Sequence, residues 1–323
     1  MRTASPRIAT AAVMAALVAC PALAQQGGGK VMRLVVGVPA GGGNDTVARA
    51  LGPPLSKAMG QSVIVENRPG ASGVIAAENV LRSPADGNTV FLAGFSFMAN
   101  AVLRPKLPYD TQKDFSPIAG IGANPLMFSA HPSVPAKNMK ELIALARARP
   151  GQLTYATPGP GFPQHLAGEM LKTMAKIDLL HVPYQGGAPA TIAVLGGHAQ
   201  ILASTVPLAT PHVTSGKLRA LAVTSGTRSE LLKDVPTVAE SGVPGYELTS
   251  VFGAFVRSAT PKPAIDRLSA EILRALQQPE VSSSLVRDGY ALAPLGPAEF
   301  EAVVRAKTQQ IRKIVKEAKI KVD

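Results

Sequence analysis

Two glycine-rich segments have the composition to hold an anion. The first is Val38-Pro39-Ala40-Gly41-Gly42-Gly43-Asn44-Asp45, and the second, in the later half of the chain, is Ala156-Thr157-Pro158-Gly159-Pro160-Gly161-Phe162-Pro163. Each stands between an apolar, strand-like run and a helix-like run. A strand that ends in glycines and feeds a helix leaves the first N–H groups of that helix without intrahelical partners. Those donors, with the positive end of the helix dipole, favour a carboxylate or a phosphate. Two such ends in two halves of one chain predict a cleft that grips a small acid from both sides.

The individual residues suggest a division of labour. Gly41, Gly42 and Gly43 let the backbone approach a ligand and adopt positive φ, although a plain tight turn would use them equally well. Asp45 has the wrong sign to touch a carboxylate, and is expected to accept hydrogen bonds from loop N–H groups as a helix cap. In the second loop Thr157, Gly159 and Gly161 are candidate ligand contacts, while Pro160 and Pro163 remove two donors. Phe162 either lines an apolar wall of the cleft or packs under the loop. His165 opens the following helix, where it can donate to a carboxylate or brace the loop. Ser96, in Phe95-Ser96-Phe97, follows a strand, and residues just past the carboxyl ends of parallel strands face the ligand crevice. Asn100 is a secondary candidate there, and helix capping is the alternative for both.

Other chemistries lack their residues. Neither loop continues as Gly-Lys-Ser or Gly-Lys-Thr, and neither has the three-glycine spacing of a dinucleotide loop. No Gly-x-Ser-x-Gly elbow occurs, and His131, His181, His198 and His212 show no metal-ligand spacing. No catalytic set, metal or cofactor is expected, so the chain does not read as an enzyme. The formal charge is +12, but there is no Trp and aromatics are only 4%. That composition disfavours nucleic-acid stacking, and the sequence has no long basic run. From Arg305 to Lys321 the basic residues alternate with Ile and Val at helical spacing, as on a solvated helix face. A positive field still helps to collect anionic ligands.

The first residues read as a secretory leader. Arg2 and Arg7 form a positive start, Ile8 to Ala19 a short apolar run, and Ala22-Leu23-Ala24 a cleavage site. The leader is expected to span 1–24 and to send the protein to the periplasm. Leu17-Val18-Ala19-Cys20 offers the competing possibility of a lipoprotein anchored through Cys20, the sole cysteine. Beyond it, strand-like and helix-like runs alternate, which predicts an α/β fold with parallel sheets. The pattern divides into lobe 1 (25–127 and 250–323) and lobe 2 (128–249). Two crossings between lobes make a hinge, and a hinge makes a closable cleft.

The chain resembles the solute-binding proteins of tripartite tricarboxylate transporters, the Bug family of periplasmic proteins. The matching words include Gly41-Gly42-x-x-Asp45, Val65-Glu66-Asn67-Arg68-Pro69-Gly70-Ala71, Asp86-Gly87-x-Thr89 and Leu107-Pro108-Tyr109-Asp110-x-x-x-Asp114-Phe115. Further on come His165-Leu166-Ala167-Gly168-Glu169, His181-Val182-Pro183-Tyr184 and Leu218-Arg219-Ala220-Leu221-Ala222-Val223-Thr224-Ser225. The resemblance implies the type II periplasmic binding fold, a Venus flytrap. It implies capture of a small solute, often a carboxylate, by a monomer that delivers it to membrane permease subunits. A ligand-binding partner of a signalling receptor would use the same site. The resemblance also draws attention to Ser204, where many members carry an acid that could meet an ammonium group. A hydroxyl there points to a carboxylate ligand without an amino group.

Overall fold

The computed structural model describes residues 31–320. The leader, its cleavage site and Cys20 lie outside the described residues. In chain order the first elements are β1 (Met32–Val36), α1 (Gly43–Met59), β2 (Val63–Asn67), α2 (Val74–Arg82), β3 (Thr89–Gly94), α3 (Phe95–Leu103) and β4 (Phe115–Ala130). Then come α4 (Met139–Ala148), β5 (Thr154–Thr157), α5 (Pro163–Ala175), β6 (Leu180–Pro183), α6 (Gly187–Leu195), β7 (Ile201–Thr205), α7 (Val206–Thr214) and β8 (Arg219–Val223). The chain closes with β9 (Thr249–Arg257), α8 (Lys262–Gln277), α9 (Pro279–Arg287), β10 (Ala291–Leu295) and α10 (Pro297–Glu317).

Alternating burial explains why these segments settle as they do. Val47, Leu51 and Leu55 put one face of α1 into the core, and the helix stops at Gly60, whose φ of 66° is the left-handed conformation glycine tolerates. β3 is buried along its whole length, as a strand covered on both faces must be.

The strands run in the order β2-β1-β3-β9-β4-β7-β5-β6, and β8 and β10 also pair with β4. β1 lies parallel to β2 and β3, and β5 lies parallel to β6 and β7. These are the two parallel sets that the alternating pattern predicts. Between them β4 and β9 run antiparallel to their neighbours, which makes the sheet mixed. β4 belongs to both sets. Its stretch from Phe115 to Pro125 pairs with β9, and Leu126 to Ala130 pairs with β7 and β8. The returning chain changes partners at the matching level: Leu248 N–H donates to Thr224 O in the second set, and Thr249 opens β9.

Two helices also straddle the change. Phe300 of α10 packs with Phe91, Phe97, Phe115 and Phe255 beside the first set, while Ile311 and Ile314 pack with Leu166, Leu171 and Tyr246 beside the second. Lys307 Nζ reaches Thr249 Oγ1 at 3.2 Å, and Gln310 Nε2 reaches Glu247 O at 2.8 Å, which tie α10 to the returning chain. In α3, Phe97 joins the first core, and Phe95, Met98 and Leu103 join the second.

Several elements depart from the sequence reading. The segment from Pro105 to Pro117 reads as loop, yet β4 begins at Phe115 and continues through Pro117 and Pro125. Register shifts between Pro117 and Ala119 and between Gly120 and Gly122 absorb the missing donors. Phe95-Ser96-Phe97, just past β3 as expected, forms the first turn of α3. α9 and β10 are additional, and β10 is a short edge strand interrupted by Pro294. Helix α1 starts at Gly43, and Gly42, not Asp45, occupies the cap position.

Gly253, on β9, marks a close approach between the central strands and α10. A Cβ there would stand 2.3 Å from Phe300 Cζ and 2.4 Å from Ala119 O. Gly253→Ala is expected to cost about 1–3 kcal/mol through overpacking. Gly52→Ala, in α1, brings the added carbon within 4 Å of nothing beyond its own chain neighbours, and with Pro53 following it should cost less than Gly253→Ala. Urea unfolding of the two variants measures both.

Candidate functional site

The candidate site residues gather at the carboxyl ends of β1, β2, β3 and β5. The loop after β1 is organised by one buried carboxylate. Asp45, in the first turn of α1, is 1% exposed. Its Oδ2 accepts the Gly41 N–H at 2.8 Å and Arg49 Nε at 2.9 Å, and its Oδ1 accepts Asn67 Nδ2 at 2.9 Å. Asn67 Nδ2 also reaches Val38 O at 3.1 Å, so the end of β2 is stitched to the loop. Burial works against the charged form of Asp45. The hydrogen bonds from Arg49, the Gly41 N–H and Asn67 outweigh it and hold the pKa below the usual carboxylate value.

With both its oxygens engaged inward, Asp45 shapes the loop. Gly41 adopts φ 79°, which an L-residue resists. Gly42 N–H turns back to Pro39 O, and Tyr290 Oη donates to Gly43 O at 2.9 Å. The N–H groups of Gly43 and Asn44 find no acceptor among the described residues. They are the open donors of this helix start.

The loop after β5 is built differently. Thr157 is fully buried; its hydroxyl accepts the Gly159 N–H at 3.1 Å and lies 2.6 Å from His181 Nε2. Gly161 N–H points at His165 Nδ1, 3.4 Å away. Gly159 and Gly161 adopt φ of 134° and 78°. Both glycine N–H groups are therefore spent inside the loop, and Pro158, Pro160 and Pro163 have none. Phe162 and Gln164 keep the N–H groups without acceptors among the described residues. The Phe162 ring is half-buried and leans over Gly159, within 4 Å of where a Cβ would stand.

His165 braces this loop. Its ring stacks on His181 with centroids 4.4 Å apart and planes 23° from parallel, and His181 stacks in turn on Tyr155 at 4.9 Å. Glu169, bound to Tyr155 Oη at 2.6 Å and to Lys172 at 3.1 Å, completes the surroundings. Burial lowers the pKa of both imidazoles. That of His181 falls to about 3, helped by the neighbouring His165 and Lys172. Neutral rings are what the loop needs: Nδ1 of His165 serves as an acceptor, and the Thr157 hydroxyl can donate to His181 Nε2.

The remaining sequence candidates divide. The Ser96 hydroxyl, in the first turn of α3, has no hydrogen-bond partner among the described residues and stays available. Ser204 is 1% exposed, and its hydroxyl bonds to the neighbouring Thr205 O at 3.2 Å. Gln200 holds the opposite, amino end of β5 through Thr154, away from these loops. Asn100 donates to Ser72 O at 3.0 Å. The supporting residues Arg49, Tyr290 and His181 were not recognised as site residues from sequence. Arg49 carried a signal, standing four residues after Asp45 on one helix face. The partnership of Tyr290 with Gly43 spans most of the chain and leaves no local trace.

Opposed loops at strand ends, on two α/β units that share strand β4, define a solute-binding protein of the type II periplasmic class. The family model for the tripartite tricarboxylate transporter family receptor matches residues 47–320. The chain belongs to that family, whose members are binding receptors. It is 32% identical to Protein BugT of Bordetella pertussis over 310 residues, 94% of each protein. Among solved structures it resembles an adipate-bound protein of R. palustris (33% identity, TM-score 0.85, 90% of this chain and 97% of the other). It also resembles the periplasmic binding protein BugD (31%, 0.83, 90% and 98%) and MatC of Rhodopseudomonas palustris with bound malate (29%, 0.80, 88% and 98%). No described helix is long and apolar enough to cross a membrane.

The stacked histidines give the protein a pH dependence of known sign. An imidazole whose pKa is lowered by folding takes up its proton more readily when the chain unfolds, so acid favours unfolding. The stability held by His181 is complete above its ordinary value of 6.5 and is lost as the pH falls from there toward about 3. Urea unfolding at pH 7.5 and pH 5 should show a larger loss in the wild type than in His181→Phe, which keeps the stack and removes the titration. Equal losses would mean that the pair does not carry the effect.

Proposed function

We propose that this protein captures a small carboxylate in the periplasm by closing two lobes on it and hands it to the permease subunits of a tripartite tricarboxylate transporter. Lobe 1 comprises 31–125 with 249–320, and lobe 2 comprises 126–248, as the change of strand partners at Pro125/Leu126 and Leu248/Thr249 supports. The observation that carries the reading is the pair of open N–H donors at Gly43 and Asn44, held at a helix start by a fully partnered Asp45. One carboxylate docks there. The Phe162 and Gln164 N–H groups of the other lobe meet the far end of the solute, and the Phe162 ring covers its carbon chain.

The energetics are adequate. A hydrogen bond to a charged group contributes about 1.5–3 kcal/mol, and micromolar affinity requires about 8 kcal/mol in all. Four donors and some apolar burial reach that value after ordering costs. Ser204, buried and bonded to Thr205 O, supplies no charge to meet an ammonium group, which favours a solute without an amino group. That adipate and malate occupy similar proteins makes dicarboxylates the first compounds to try.

Titration calorimetry with adipate, malate and glutamate tests this reading. Micromolar binding of a plain dicarboxylate with none of glutamate is expected; tight glutamate binding without dicarboxylate binding would overturn the ligand class. In Gly42→Leu the added Cβ would meet Val38 Cγ2 at 2.9 Å and Pro39 O at 3.0 Å. That variant should keep its circular dichroism and lose binding. Asp45→Ala frees Gly41, Arg49 and Asn67 together and should weaken binding by roughly tenfold or more.

A further inference from the structure

Across the cleft, one side-chain hydrogen bond joins the two sets of strands directly at the loops. Ser72 Oγ, in the turn after β2, donates to Pro160 O in the loop after β5 at 3.1 Å. The turn that presents it is unusual. Gly70, Ala71, Ser72 and Gly73 all have positive φ, at 129°, 46°, 54° and 93°, although two of them carry side chains. Such conformations persist only where surrounding contacts impose them, and they concentrate at working sites. Here the contact is Asn100, 1% exposed, whose Nδ2 donates to Ser72 O at 3.0 Å while its Oδ1 accepts Arg104 Nε at 3.2 Å. On the other side Gly161 leaves room: a Cβ there would stand 3.5 Å from Ser72 Oγ and 3.6 Å from Leu103.

We propose that Ser72 is a closure latch. Its hydroxyl, aimed by the left-handed turn and the Asn100–Arg104 pair, bonds the Pro160 carbonyl only when the lobes close. It thereby sets how much of the protein closes before a solute arrives and how fast a bound solute leaves. Closure favoured by a contact that the solute does not make raises affinity without adding selectivity, because every solute that fits gains equally. The proposal rests on the capture-by-closure reading and assigns its holding contact.

The test uses the protein from residue 25 onward, which has no native cysteine, with Lys57→Cys and Lys140→Cys labelled as a fluorescence-transfer pair. Both lysines are exposed, one on α1 and one on α4. The ratio of closed to open molecules is measured without added solute, for the parent, Ser72→Ala and Ser72→Gly. Losing one neutral hydrogen bond should lower that ratio by about two- to tenfold in both variants. The alanine keeps the strain of the turn and the glycine relieves it. A fall in only one of them would trace the effect to backbone conformation and overturn the latch, as would no fall in either. Urea midpoints verify that both variants stay folded. Titration of the same proteins with adipate and malate separates the two ideas: absence of carboxylate binding in the parent strikes the capture reading, while the closed ratio alone judges the latch.

Discussion

A single strand serving two sheets is the constraint from which the rest of this structure follows. β4 is 16 residues long, and its two ends are held by different neighbours. Because each part is locked into its own ladder, the chain between the sets is confined to a short stretch around Pro125 and Leu126. The return at Leu248 and Thr249 lies at the same level. In the proposed closure, one set rotates against the other about this stretch. The glycines along the trunk allow the dense packing this requires: Gly120, Gly122 and Gly253 each sit where a Cβ would collide with α10, β10 or β4 itself. α10, packed into both cores, limits how far the rotation can go.

The two glycine loops share a composition and differ in how they are held. After β1, a buried carboxylate takes up the Gly41 N–H and leaves Gly43 and Asn44 open. After β5, a neutral hydroxyl and a neutral imidazole take up the two glycine N–H groups, and three prolines remove further donors. The first loop is a donor-rich cradle fixed by charge–charge and charge–dipole contacts. The second is a proline-stiffened rim that leaves the Phe162 and Gln164 N–H groups open beside an aromatic ring and rests on stacked histidines. In this account the first loop supplies general carboxylate affinity, and the second limits what shape of solute is accepted.

Much of this was legible in the sequence because it is local. The strand–helix alternation and both glycine loops come from patterns a few residues long. The role of Asp45 as a loop organiser follows from its charge and its place after three glycines. The first part of β4 was not legible, since Pro117, Pro125 and paired glycines ordinarily end strands, and only pairing with β9 and β10 overrides them. His165 could be read either way until its stack on His181 was seen. That stack brings together β6 and α5, whose proximity no short pattern encodes. Ser72 was hidden for the same reason, because its partner Pro160 lies in the other half of the fold.

The central claim is that the open N–H groups of Gly43 and Asn44 hold a carboxylate between closed lobes. A crystal structure of the exported protein, purified without refolding so that its natural solute stays bound, tests this most directly. The account predicts a molecule whose carboxylate oxygens lie within hydrogen-bond distance of those two N–H groups, with its other end against the Phe162–Gln164 segment. A solute bound elsewhere, or one that meets the Gly43 and Asn44 N–H groups with no acidic group, would contradict it.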